Sequence, residues 1–538
     1  MIKNISSSFE ETLAQAQKAF ESKQLDQAKA LFEQAHEVQP AQADLIHMLG
    51  IIAAQQSDFV QAERYLRLAI EQDPNEPAYH NHLGNTLQAQ QRFTEAIAVH
   101  RQALECDPNH AESYNNLGNA YDRLHETQAA KDCYRKALDL RQDYLAAWYN
   151  LARIFDKEKE FDRAIDCLKS ILEFAPHLPQ VHFQLGKLYQ LQEKYTLAID
   201  HYEKVLDRQP DFYEALYNLG VVLLAEQQLN RADIYFKQAA HISDQSANLQ
   251  YNLGVIAHQK GEKELAILHY NKAIDLDPAM SEAHQNIANL YAELKEKEKA
   301  MAHYECVLAL KPNNHSVAYM LQAMKQECTP SSAPSDYIQH LFDRYADHYD
   351  RHLVDTLGYQ APQLLLKSLQ SVTSLKPQAA RILDLGCGTG LCGKLFKPYA
   401  GKLIGIDLSK KMLAIAAQLS IYDQLIEDDL FHALVNIQEK ADLILAADVF
   451  IYVGDLDAVF CEAMRLLQTS GFFCFTVEKS VHYPYKLETT ARFAHHEQYV
   501  LELIQKYGFS VWACESVALR RQEESTINGL VWILEKNH

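Results

Sequence analysis

Residues 381–393 read RILDLGCGTGLCG. The apolar run Ile382-Leu-Asp-Leu385 passes straight into clustered glycines, the pattern of a strand that ends in a tight turn. Within it, Gly388-Thr-Gly-Leu-Cys-Gly393 spells G-x-G-x-x-G, the string usual in dinucleotide-binding turns. That string begins in the wrong place. The turn opens at Gly386, so the pattern in register with the strand is G-x-G-x-G, and the third position of the dinucleotide string falls on Leu391. Nor do the roughly 200 residues available leave room for a second βαβαβ half that would hold a nicotinamide nucleoside.

Around this turn, apolar β-rich runs alternate with amphipathic helical stretches, which predicts a parallel α/β sheet. Strands are expected at 380–385, 402–407, 425–428, 441–447 and 472–478, followed by a hairpin pair near 509–518 and 529–535. Helices are expected in the gaps, including 410–419 and 456–467. Five alternating strands and the hairpin make seven, a pattern that resembles the Rossmann-like sheet of methyltransferases.

The residues ILDLGCGTG, with Asp407 after the second strand, resemble motif I and its partner in class I S-adenosylmethionine-dependent methyltransferases. The resemblance implies S-adenosyl-L-methionine as cofactor. It implies that Gly386, Gly388 and Gly390 let backbone approach the ligand and that Asp407 accepts from both ribose hydroxyls. Asp384 lies inside the strand, where a buried carboxylate needs a partner; the methionine amino group, reached directly or through water, could supply one. The resemblance also implies that Asp429, with Asp428 as its rival, meets the adenine amine and that Ala447 and Asp448 face the methyl-transfer centre. A second resemblance rests on residues 341–362 (LFDRYADHYDRHLVDTLGYQAP), 446–456 (AADVFIYVGDL) and 492–499 (RFAHHEQY), which together look like the type 11 methyltransferases that carry tetratricopeptide repeats in bacteria. It implies that Tyr345 and Tyr349 belong to a lid over the cofactor. Four apart, they share one helix face and read equally as a packing stripe.

Methyl transfer needs alignment, exclusion of water and, for N–H or O–H acceptors, removal of a proton. Asp448, Tyr452, Arg492 and His495 are expected near the mouth. His495 is the best candidate general base, since an unperturbed imidazole titrates near neutrality, and Tyr452 stands beside it. Arg492 either anchors a carboxylate or pairs with Glu497. Positioning without any base is the alternative. The segment ADVF differs from the Asn/Asp-Pro-Pro-Tyr pattern of enzymes that methylate planar amino groups, and there is no Pro-Cys nucleophile pair.

Upstream, the first 320 residues repeat. The small residue closing each unit's first signature falls at Gly50, Gly84, Gly118, Ala152, Gly186, Gly220, Gly254 and Ala288, each step being 34, and one period back lies Ala16. Twelve residues on, alanine recurs from Ala28 to Ala300, and proline punctuates most units (40, 74, 108, 176, 210, 278, 312), with Gln142 and Asp244 at the two gaps. Small residues suit the closest approach of two antiparallel helices, and proline suits the turn to the next pair. These units resemble the tetratricopeptide repeat, about nine of them. The resemblance implies a solenoid whose first helices line a concave groove, with 316–327 as a capping helix. The expected organisation is α plus α/β: a repeat superhelix over 8–327, a Pro/Ser-rich linker at 328–336 and a methyltransferase domain over 337–538.

Two residues before each signature position stand His82, Asn116, Asn150, Gln184, Asn218, Asn252 and Asn286. A column of carboxamides can donate to and accept from a peptide backbone at once. It resembles the asparagine ladder of the repeat domain in protein O-GlcNAc transferases; inheritance from one ancestral unit is the alternative. A protein or peptide in the groove is therefore the expected partner.

Net charge is −20, shared between residues 1–330 (32 basic, 46 acidic) and 331–538 (19 basic, 25 acidic). Phosphate neutralisation needs clustered Lys/Arg, so nucleic acid is not an expected partner. No run approaches 18 apolar residues, and the first 15 residues hold no signal-peptide core, so neither membrane insertion nor secretion is expected. Ten cysteines without a C-x-x-C pair read as reduced thiols, with no metal site, and cytoplasm is the default compartment. Three functional readings stand: a methyltransferase acting on a protein or peptide recruited by the repeats, a small-molecule methyltransferase whose repeats only assemble a complex, and a repeat scaffold with a vestigial methyltransferase fold.

Overall fold

The structure, a computed structural model, describes residues 2–327, 329–346, 349–351, 353, 358–522 and 525–537. Parts of the segment 341–362 and Cys328, the first residue of the expected linker, lie outside the described residues. The chain divides into two compact units, Met1–Ile256 and Ala257–His538, so the last repeats share a unit with the sheet.

In the first unit, antiparallel helix pairs follow one another from α1 (Ile2–Glu21) and α2 (Leu25–Val38) to α13 (Tyr213–Ala225) and α14 (Leu229–Ile242). The small residue of each unit has a definite counterpart sixteen residues on. A Cβ built at Gly118 would come within 2.7 Å of Tyr134 and one at Gly186 within 2.7 Å of Tyr202, so glycine lets the paired helix lay an aromatic ring on its backbone. The turn inside each pair is made by a residue with positive φ, again every 34: Lys23, Ser57, Gln91, His125, Lys159, Glu193 and Gln227. Several of the turns between pairs are closed by a side-chain donor reaching the carbonyl six residues back. His80 meets Pro74 O at 2.9 Å, Trp148 meets Gln142 O at 2.9 Å, and His182 meets Pro176 O at 3.0 Å.

The second unit begins with the remaining repeat helices, among them α16 (Lys263–Leu276), α17 (Ser281–Glu293), α18 (Lys297–Leu310) and the single helix α19 (His315–Lys325). After them come α20 (Ser335–Tyr345), α21 (Tyr349–Arg351) and α22 (Ala361–Val372). The sheet strands are β1 (Ala380–Leu385), β2 (Ala400–Asp407), β3 (Gln424–Glu427), β4 (Ala441–Ala446), β5 (Leu467–Lys479), β6 (Tyr485–Leu487), β7 (Phe493–His495), β8 (Phe509–Gln522) and β9 (Ser525–Lys536). β3-β2-β1-β4-β5 are parallel neighbours in that order; β9 runs antiparallel to β5, and β8 pairs with β9. Seven of these answer the sequence expectation. The other two, β6 and β7, are three residues each, too short to show a period; they form a hairpin whose β7 pairs with the end of β5 at Glu478↔Ala494. The order reverses between β1 and β4, so the C-terminal ends of those two strands flank the switch point where ligands of open α/β sheets bind. Apolar layers cover both faces: Leu383, Ile444, Phe460, Phe473 and Trp532 belong to one, Leu365, Phe396, Leu443 and Ile533 to the other.

Candidate functional site

The turn after β1 carries Gly386, Gly388 and Gly390, all with positive φ. The three differ in what they face. A Cβ at Gly386 would lie 2.7 Å from Val449, and one at Gly390 would lie 2.8 Å from Leu419, so these two are small because protein packs on them. At Gly388 (φ +52) the nearest atom among the described residues is Tyr349 Cε1, at 4.0 Å: of the three glycines, this is the one over which the described residues leave space. Gly393, last of the G-x-G-x-x-G string, is covered by the Tyr422 hydroxyl.

Asp407, at the end of β2, braces that turn. One carboxylate oxygen accepts the Gly388 N–H at 2.8 Å and the other the Ser409 N–H at 2.9 Å. Burial raises its pKa against the pull of those bonds. Each oxygen keeps acceptor capacity for one further donor. Asp384 is different from its expected role. Its partner comes from the protein, since the Tyr422 hydroxyl donates to it at 2.6 Å, and its 1 % exposure seals it below the turn. Burial pushes this carboxyl up to about 7. Asp429 caps α25 (Leu430–Asn436) through Phe431 N at 3.0 Å, while Asp428 accepts from His432 at 2.6 Å.

Helices α20 and α21 lie across these loops. Thr389 on the turn donates to Asp350, Ser409 donates to Asp343 at 2.6 Å, and Ser335 donates to Asp429 at 2.9 Å. Three successive strand ends are thereby tied to one segment, and sequence reasoning noted none of the three donor–acceptor pairs. Tyr345 and Tyr349 meet edge to face at 5.5 Å, and Phe342 packs on Tyr349 at 5.9 Å. Tyr349 is thus both part of a packing cluster and the ring above Gly388.

Beyond β4, Ala447 O accepts from Tyr359 at 3.3 Å, and Asp448 stands at φ +61 with its N–H donated to Thr476 Oγ1 at 2.9 Å. The Asp448 carboxylate takes one Nη of Arg520, and the other Nη goes to Glu478. Side-chain exposure is 2 % for Arg520, 14 % for Asp448 and 10 % for Glu478, so this is a buried ionic triad. Burial pushes the Glu478 carboxyl up against the pull of Arg520. Neither Arg520 nor Glu478 was foreseen, because strand residues separated by 42 and 72 positions from their partners carry no local pattern. Tyr452 is buried, which raises its hydroxyl pKa, while Arg492 beside it draws it down. Arg492 therefore sits by Tyr452, and Glu497 pairs instead with Lys479 at 3.3 Å.

His495 is not at the mouth. It lies on β7 with no exposure, its Nε2 bonded to Gly454 O at 3.0 Å, and burial depresses it to about 4. The physical reason is the unforeseen hairpin, which turns His495 into the core.

The carboxamide column is half-buried from Asn116 to Asn286. Its donors are largely used within the array. Asn116 Nδ2 donates to Asn81 Oδ1 at 3.0 Å, Asn150 Nδ2 to Asn115 Oδ1 at 3.1 Å, and Asn252 Nδ2 to the Tyr217 hydroxyl at 3.3 Å, each 35 residues back. His82 meets His47 at the same separation, 2.9 Å apart. Asn218 touches Tyr202, Asn286 Nδ2 reaches Tyr270 at 3.5 Å, and Gln184 is half-buried. At His82, Asn116, Asn150 and Asn252 the column staples one first helix to the first helix before it, and at Asn218 and Asn286 it meets the intervening second helix instead. Beside Asn150, a cavity of about 290 Å³ is lined by Leu145, Tyr149, Leu178, Gln180 and Val181.

With this geometry in view, known proteins can be set against the chain. A family model for a methyltransferase domain matches residues 383–475. Tetratricopeptide-repeat models match 19–85, 76–143, 115–179 and 281–314, and a model of an ARM-repeat domain matches 182–291. The chain therefore joins tetratricopeptide repeats to a methyltransferase domain. Human methyltransferase-like protein 27 is 40 % identical over 87 residues, 16 % of this chain and 35 % of that protein. A ubiquinone biosynthesis O-methyltransferase of Pelagibacter ubique is 28 % identical over 121 residues, 22 % of this chain and 50 % of that protein. The chain thus spans half or less of the length of these relatives. Among solved structures, YrrB, a TPR protein with an unusual peptide-binding site, aligns with 24 % identity and a TM-score of 0.32, covering 34 % of this chain and 95 % of that one.

Proposed function

We propose that the protein is an S-adenosyl-L-methionine-dependent methyltransferase whose repeats recruit the protein or peptide that it methylates. The observation that carries the cofactor reading is the space over Gly388, walled by Tyr349 and floored by a turn that Asp407 holds. The residues fit the group. A side chain at 388 would fill the cradle, and Asp407 retains an acceptor on each oxygen for a ribose diol. Asp429 stands at the end of β3, on the adenine side. When bound, the cofactor supplies an electrophilic methyl group on a sulfonium. The chain's own residues do the rest: Tyr349, Phe342 and Tyr345 exclude water, and Asp448, held by Arg520, fixes the polarity of the acceptor side. Asp448 and Tyr452 replace His495 as the groups to test for proton removal, because both lie on the segment that follows β4, whereas His495 is sealed in the core.

The acceptor reading is supported by the repeats and by the cavity beside Asn150, which offers an apolar hollow next to a polar column. With tritium in the methyl group of the cofactor and a cytosolic extract as acceptor, label should enter acid-precipitable protein, and Asp407→Ala should abolish it. Label confined to small molecules would sink the protein-acceptor reading and leave the small-molecule alternative.

A further inference from the structure

The segment expected to be a linker is built into the site. Ser331 O accepts the N–H groups of Gly454 and Asp455, both at 2.8 Å, and Ala333 N donates to Tyr452 O at 2.9 Å. Residues 331–333 thus form a short strap along the loop that carries Tyr452, with Ser332 bridging Val453. The last repeat helix, α19, adds two bonds from side chain to backbone. The buried Tyr319 hydroxyl donates to Ala491 O at 3.0 Å, and Gln326 Nε2 to Leu487 O at 2.7 Å. Tyr319, Ala323 and Ala333 share one apolar cluster with Ile451, Tyr452 and Phe493. Phe342 continues the contact, edge to face with Tyr452 at 5.5 Å and with Tyr349 at 5.9 Å, and Tyr349 is the ring above Gly388.

We propose that α19 is a positioning element of the methyl-acceptor side, with Tyr319 as its positioning residue, so that the end of the repeat array and the cofactor turn order together. This inference rests on the methyltransferase reading. Packed side chains and strap bonds admit few intermediate arrangements, because interiors are close-packed rather than continuously deformable. Loosening α19 frees the Tyr452 loop, and ordering the turn beneath Tyr349 tightens that loop through Phe342. The contacts run unbroken from Tyr319 through Tyr452 and Phe342 to Tyr349, which gives a change of order at either end a packed route to the other.

Amide hydrogen exchange on the full chain, with and without S-adenosylhomocysteine, tests it. The ligand should slow exchange at 386–390, and also at 316–325 and 452–455. In Phe342→Leu at saturating S-adenosylhomocysteine, whatever slowing remains at 386–390 should no longer be accompanied by slowing at 316–325. Tyr319→Phe keeps the ring and loses one buried bond; it should speed ligand-free exchange at 452–455 about tenfold and reduce the ligand-dependent slowing there. A merely structural Tyr319 would leave the ligand-dependent difference intact. Slowing confined to 386–390 in the wild type overturns the inference while leaving the cofactor reading standing. No slowing anywhere, with no heat of ligand binding, removes the methyltransferase reading and the inference with it.

Discussion

Substituting Gly388 by alanine separates ligand binding from folding at one position. Among the described residues the added Cβ would meet nothing nearer than Tyr349 Cε1 at 4.0 Å, an ordinary van der Waals contact, so these residues offer no clash. The remaining cost is backbone. At φ +52 an alanine is strained by about 1 kcal/mol, which lowers the melting temperature by about 2–4 °C in a domain of this size. The methyl group stands in the cradle, however, and S-adenosylhomocysteine should bind at least about tenfold more weakly, a loss of roughly 1.4 kcal/mol. Gly386→Ala is the counterpart: its Cβ would lie 2.7 Å from Val449 Cγ2, which adds an overpacking cost of about 1–3 kcal/mol to the same strain. Isothermal titration gives the affinity, and urea denaturation followed by circular dichroism gives the stability. Unchanged affinity in Gly388→Ala, or a stability loss equal to that of Gly386→Ala, would refute the assignment of this space to a ligand.

Other outcomes follow from the same structure. Lys159 and Gln227 hold positive φ in turns where Gly261 serves the same position, so Lys159→Gly should stabilise the repeats by about 1 kcal/mol, read as a raised urea midpoint. His100 is fully buried, accepts from Gln88 at 2.8 Å, and is held at about 3 by burial, against about 6.5 in an unfolded chain. A depressed imidazole favours the folded state above pH 6.5, and that contribution is lost as pH falls toward 3; by pH 5 the loss is roughly 2 kcal/mol. His100→Phe, which copies Phe236 at the same repeat position, should flatten this dependence in denaturation curves at pH 7 and 5. Arg520→Leu leaves Asp448 and Glu478 buried without their cation and should cost about 3–5 kcal/mol in chemical denaturation; a cost under 1 kcal/mol would mean that the triad is hydrated.

The repeats were legible because their signal is redundant. Eight small residues at one spacing report the helix approach, even though Tyr134 and Tyr202, which fill it, went unremarked. Strands β1 to β5, β8 and β9 were legible because β-rich runs ended in glycine or acidic turns. What failed was non-local or too short. β6 and β7 carry three residues each, and missing them placed His495 at the mouth instead of in the core. Asp384 read as needing a ligand because Tyr422, 38 residues away, leaves no trace in the local pattern. The Pro/Ser-rich composition of 329–336 announced a linker, yet the same composition suits an extended strap that pairs with the Tyr452 loop. The carboxamide column is plain in the sequence as a repeating feature, but its use of donors is not, since the partner 35 residues back differs from unit to unit.

The most direct measurement is calorimetric titration of the full-length chain with S-adenosylhomocysteine, with NADH as the control. The account predicts saturable binding of the adenosyl ligand and no heat with NADH. A folded chain that ignores S-adenosylhomocysteine, or one that binds NADH instead, would contradict it.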